Sequence, residues 1–169
     1  MLNYRQIRDS MWYPMQAVLP VAAGTVAHLV VEGRPGMKRN DVPFNLWEKI
    51  RSALAKVNSV EIHVHLTLDI DYIDDVLSAF DIDQLHDIRL VLHGSSYRIQ
   101  SSLTDPANAS TLASIQQTVL GLSPKSVTLT AITKRNQHSL LTKVLQESFP
   151  ALYKDGLTKT VLPAHGAQP

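Results

Sequence analysis

The residues best equipped for chemistry are three histidines. His63 and His65 form a His-x-His pair, and His93 follows 28 residues after His65. Alternate residues of a strand point the same way, so a His-x-His on a strand places two imidazoles on one face. Together with Glu32, His63, His65 and His93 could supply nitrogen and oxygen ligands to zinc or another transition metal. The plainer role is solvent-exposed histidine on the polar side of a strand. Other candidates carry less chemistry. Asp69, Asp71, Asp74, Asp75, Asp81 and Asp83 crowd one stretch without the glycine-turn spacing of a calcium loop. At a helix start such residues complement the dipole, which predicts a solvated helix terminus. Gly94-Ser95-Ser96 lacks the glycines that flank a nucleophilic serine on both sides. Trp12, Tyr13 and Trp47 read as packing residues, since no basic residues interleave them as base-stacking platforms require. Lys134-Arg135 reads as a charged turn. No catalytic residue, bound metal or cofactor is expected, and the chain reads as a non-enzyme.

Composition bounds the partners. The chain has 169 residues, 44% of them hydrophobic and 18% charged, enough for one soluble domain with a substantial core. Its formal net charge of +1 gives no clustered basic balance of the kind that binds a phosphate backbone, so no nucleic acid partner is expected. The absence of cysteine removes disulfides, zinc-thiolate sites and thiol nucleophiles, and fits a reducing compartment. No apolar signal core opens the sequence, and no run approaches the roughly 18 to 20 apolar residues of a membrane span. The expected location is intracellular, cytoplasmic or nuclear, with no membrane partner.

The elements that must position the histidines follow from periodicity. Four stretches alternate apolar and polar residues, predicting half-buried strands over 26–32, 58–67, 87–93 and 126–132, with an edge strand from Leu157 to Leu162. Apolar steps of three and four predict helices between them. The first is marked by Phe44, Trp47, Ile50, Leu54 and Val57, and the second by Ile73, Val76, Leu77 and Phe80. The third is marked by Leu112, Ile115, Val119 and Leu122, with Asn108 or Ser110 as N-cap and Gly121 near its stop, and the fourth runs over 138–148. Ser95 to Asn108, polar throughout, reads as a surface loop. Residues 1–23 read as an N-terminal capping segment, 24–162 as the domain and 163–169 as a flexible tail.

Superposed, the four strands share one spacing: Val26, Leu29, Val31; Val57, Val60, Ile62; Leu85, Ile88, Leu90; Pro124, Val127, Leu129. Steps of three and two make the leucine-rich-repeat frame L-x-x-L-x-L. The expected fold is α/β, a leucine-rich-repeat-like short solenoid with a parallel sheet of four to five strands and helices on one face. A sheet covered on both faces would instead show continuous apolar runs. The frame also predicts three outward rows: Val30, Glu61, Arg89, Thr128; Glu32, His63, Val91, Thr130; and Arg34, His65, His93, Ile132. Opposite charges place Glu61 and Arg89 as cross-strand partners worth about 0.2–1 kcal/mol. His65 and His93 occupy the frame position where the usual asparagine turns inward to bond loop backbone, so they could replace that ladder. The candidate binding face comprises Glu32, Glu61, His63, His65, Arg89, His93, Thr128 and Thr130.

These frames, with the closing Phe149-Pro150-Ala151-Leu152-Tyr153-Lys154-Asp155-Gly156-Leu157, resemble the leucine-rich-repeat-like tails of fungal F-box-type proteins, chiefly those of mushroom-forming fungi. The resemblance spans about residues 24 to 162. It implies a non-enzymatic protein-interaction module that recognises substrates for a ubiquitin ligase, with a protein of unknown identity as partner. Leu19-Pro20 is followed by Val21-Ala22-Ala23-Gly24 rather than by the acidic, leucine-rich helical pattern of an F-box. The chain is therefore expected to be a recognition half alone or a truncated relative. The alternative is a small metal-binding protein or metal-dependent enzyme using His63, His65 and His93.

Overall fold

The computed structural model describes residues 27–32, 51–65, 70–133, 138–154, 156 and 158–161. The expected capping segment, residues 44–50 of the first helix face, Trp12, Tyr13, Arg34, Asp69, the Lys134-Arg135 turn and the tail lie outside these residues.

Five strands, β1 (His28–Glu32), β2 (Ser59–His65), β3 (Asp87–His93), β4 (Ser126–Ile132) and β5 (Thr158–Val161), form one sheet in chain order. Every neighbouring pair is parallel. The register joins Leu29 to Val60, Val60 to Ile88 and Ile88 to Val127, the alignment that the repeat frame requires. Alternation explains the strands: in β2, Val60, Ile62 and Val64 are buried while Glu61, His63 and His65 are partly exposed. β-branched residues suit such a half-covered pleated surface.

Parallel neighbours need crossovers, and helices supply them. After β2 comes α1 (Asp71–Leu77). α2 (Ser96–Thr104) and α3 (Ala109–Gly121) follow β3, and α4 (His138–Ser148) and α5 (Pro150–Lys154) follow β4. Ile73, Val76, Leu77 and Phe80 are all buried, as are Leu112, Ile115, Val119 and Leu122, and Leu141, Val144 and Leu145. They join Leu29, Val31, Ile62, Leu90 and Leu129 of the strands in a single core cluster. α1 packs on α3, and α2 on α4. Among the described residues, no helix is long and apolar enough to cross a membrane.

A backbone device recurs where each strand begins. The carbonyl of Ala27 accepts from the N–H groups of Asn58 and Ser59, that of Asn58 from His86 and Asp87, and that of His86 from Lys125 and Ser126, at 2.7–3.3 Å. One carbonyl thus satisfies two donors of the next strand's approach, and the arrangement repeats three times across β1 to β4.

Several expectations need correction. Ser95 to Asn108 is helical: α2 fills 96–104 and a 3-10 turn covers Pro106–Asn108. Ile99 and Leu103, four apart, are buried on one helical face, and the Ser95 side chain caps the start by accepting from the Arg98 N–H at 3.3 Å. The first helix does not run to Val57: its described part is a 3-10 turn, Arg51–Leu54, after which Val57 is buried ahead of β2. Asn108 precedes α3 but gives it no side-chain cap; its amide nitrogen donates to the Ser102 carbonyl at 2.9 Å. Gly121 does stand at the stop, as the last residue of α3, and the positive φ beyond it belongs to Ser123 (φ 52°). Pro150, at the first position of α5 where its missing N–H costs nothing, opens a short helix in the closing segment.

The acidic stretch does structural work. Asp74, half-buried on α1, accepts from the hydroxyls of Ser114 (2.6 Å) and Thr118 on α3. It ties two helices together rather than facing water.

Candidate functional site

The outward side of the sheet carries four rows of positions in register. At the strand starts His28, Ser59, Asp87 and Ser126 align. There His28 Nδ1 lies 2.9 Å from the Ser59 hydroxyl, and the Ser126 hydroxyl donates to Asp87 at 2.5 Å. The next row is Val30, Glu61, Arg89, Thr128 and Lys159. Then come Glu32, His63, Val91, Thr130 and Val161, and finally His65, His93 and Ile132. All three expected rows are present wherever their residues are described. Glu32 stands beside His63 by register.

Within this face the structure brings five candidate residues into one network. An Arg89 Nη1–H donates to Glu61 Oε2 at 3.0 Å, making the cross-strand pair expected from the register. The other carboxylate oxygen, Oε1, lies 2.6 Å from His63 Nε2. His63 Nδ1 in turn lies 2.9 Å from His93 Nε2, and the His65 ring stacks on His93 with centres 4.7 Å apart. Glu61 and His63 are shielded, with 18% and 21% of their side-chain surface exposed, while Arg89 at 55% is largely in water. An exposed arginine contributes little through the pair alone. It engages one oxygen of the carboxylate whose other oxygen meets His63.

The facing nitrogens decide what the two imidazoles do. The ring centres of His63 and His93 are 5.0 Å apart and the nitrogens 2.9 Å. Both nitrogens therefore lie close to the line between the rings, and one ring's lone pair points at the other ring's nitrogen. Two imidazoles sharing a metal at about 2.0–2.1 Å would turn both lone pairs toward a third point. The pair is a hydrogen bond, with the second nitrogen of His63 already engaged by Glu61. Among the described residues, no group of three or more His, Cys, Asp or Glu is placed to hold a metal ion.

One expectation about this face changes. Thr130, expected on the exposed face, is buried at 9% exposure, as is Val91 beside it at 3%. Both are short side chains on inner strands, flanked in the adjoining rows by Arg89 and His93. His65 and His93 stack with centres 4.7 Å apart, and His93 meets His63 on its other side. Two glutamines bond backbone carbonyls. The Gln84 amide donates to the Leu54 and Val57 carbonyls at 2.6 and 3.0 Å, and its oxygen accepts from the Asp81 N–H at 3.0 Å. Buried Gln116 donates to the Leu112 and Ser148 carbonyls and accepts from the Ala151 N–H. Neither stands out in the sequence: Gln84 lies between Asp83 and Leu85, and Gln116 between Ile115 and Gln117.

No family model matches the chain, and no curated protein or solved structure matches it.

Proposed function

We propose that the chain is a non-enzymatic protein-interaction module, a short leucine-rich-repeat-like solenoid that docks a protein partner on its outward strand face. The observation that carries this reading is the chain-ordered parallel sheet, with its rows of aligned polar side chains on the side away from the core cluster. The repeated carbonyl device at the strand starts supports it, because each repeat meets the next in the same way. An open face of mixed charge, with Arg89, Thr128 and Lys159 in one row and the exposed Ile132 and Val161 near its far edge, suits a polar protein surface with a few apolar contacts. Following the resemblance to F-box-type tails, the partner is an intracellular protein presented to a ubiquitin ligase.

The test is binding by face variants. Arg89→Glu combined with Thr128→Glu changes the outward face, and Lys143→Glu changes an exposed position on α4. Partners captured from cells that express the protein should be lost with the double variant and kept with the α4 variant. Loss with the α4 variant alone would place binding elsewhere.

A further inference from the structure

We propose that Arg89, Thr128 and Lys159 form a carboxylate-binding row on the outward face, and that the partner presents to it an aspartate or glutamate with an apolar side chain two residues away in extended chain. This rests on the docking reading and names the chemistry that the face takes. Register places the three residues side by side on β3, β4 and β5. Neighbouring strands lie about 4.8 Å apart, so the two cations spring from backbone positions roughly 9–10 Å apart, with Thr128 between them. Each of the three retains bonding capacity. Arg89 spends Nη1 on Glu61, which leaves the other N–H donors of a guanidinium on a side chain 55% exposed. Lys159 is exposed and has no ion-pair partner among the described residues. Thr128 is half-buried, and its hydroxyl makes no hydrogen bond among the described residues. The acids nearby are already engaged: Glu61 by Arg89 and His63, and Asp87 by the Ser126 hydroxyl.

Charge selects the occupant. Glu61, Arg89 and Lys159 together carry one net positive charge, which a single carboxylate matches. A phosphorylated side chain brings about −1.5 to −2 and would leave excess negative charge beside Glu61 and Asp87. The apolar half of the occupant follows from the next rows. Val161 lies one row beyond Lys159 on β5 and is 49% exposed, and Ile132 lies two rows beyond Thr128 on β4 and is 38% exposed. Successive rows are about 6.6 Å apart, the same step that separates residues i and i+2 of an extended chain. A segment lying along β4 and β5 with its carboxylate over Thr128 therefore sets the side chain two residues on against Val161, within reach of Ile132. Contacts of this kind, one ion pair beside a small apolar patch, confer selectivity by charge complementarity.

A randomised peptide library displayed on phage and selected on the full chain tests this. The expected peptides carry an aspartate or glutamate with an apolar residue two positions away, and synthetic copies should shift the backbone amide resonances of Arg89, Thr128 and Lys159. Exchanging the peptide's acid for its neutral amide should weaken binding by about tenfold, and Lys159→Glu, shown to be folded by circular dichroism, should weaken it at least as much. The same variant should regain binding to a peptide whose acid is replaced by lysine, while Lys143→Glu should bind as the parent does. Enriched peptides without an acid, or no enrichment at all, would overturn the proposal. So would tenfold tighter binding of a peptide with phosphoserine in place of the acid, or shifts confined to residues away from this row. These results leave the docking reading intact if the partner captured from cells is still lost with the Arg89→Glu and Thr128→Glu double variant. Loss of that partner with Lys143→Glu alone removes the docking reading itself.

Discussion

At the scale of single residues, the buried amides and carboxylates outside the strand face hold the molecule together. Gln116 satisfies the Ala151 N–H, one of the otherwise orphaned donors in the first turn of α5. Gln116→Leu keeps the volume but strands that donor, so the variant should lose about 1–3 kcal/mol, read as a lower urea midpoint at unchanged slope. Tyr153 makes a different prediction. Burial pushes its phenol above the ordinary value of 10.0, against the opposing effect of its hydrogen bond with Thr160. The folded state then keeps the proton to higher pH than the unfolded chain. The stabilisation is fully present below the ordinary value and is lost as pH rises through the raised one. Tyr153→Phe should flatten the alkaline fall in stability relative to the parent, and an identical alkaline slope in the two proteins would contradict this origin. Residue-level roles were the least legible in the sequence. His63, His65 and His93 were placed on one face by alternation alone, but the bond between two of them depends on ring rotation that no spacing encodes. Asp74 looked like one more acid at a helix start, since Ser114 and Thr118, its partners, lie 40 and 44 residues away.

Elements were legible where periodicity was strong. β3 and β4 follow the alternation of Ile88 to His93 and Val127 to Thr130, and α4 follows Leu141, Val144 and Leu145. α2 was hidden because Ile99 and Leu103 are the only buried apolar side chains among its serines, threonine and other polar residues. Two apolar positions four apart are a weak signal in sequence and a sufficient one in structure, since both reach the core against α4. The distinction between loop and packed helix has a measurable size. Ile99→Ala should cost about 2–5 kcal/mol by thermal or urea unfolding, as for other fully buried large-to-small changes. A change within about 0.5 kcal/mol, the range of ordinary surface substitutions, would mean that this segment lies on the surface after all.

For the whole molecule, chain order and parallel pairing followed from the shared L-x-x-L-x-L frame, which aligned Leu29, Val60, Ile88 and Val127 although their separations are 31, 28 and 39 residues. The uneven lengths are taken up in the crossovers: among the described residues, α1 between β2 and β3, but α2, a 3-10 turn and α3 between β3 and β4. The sheet stays regular because each strand start docks on the preceding one through a shared carbonyl. What the rows on the open side recognise could not be read from spacing, since partner choice depends on the combined surface rather than on any one motif. The most direct measurement is therefore affinity capture from cells expressing the protein, comparing the parent, the Arg89→Glu and Thr128→Glu double variant and the Lys143→Glu variant, each first shown to be folded by circular dichroism. The docking account predicts a partner held by the parent and by Lys143→Glu but lost at least tenfold with the double variant. A partner held equally by the double variant, or released only by Lys143→Glu, would contradict it.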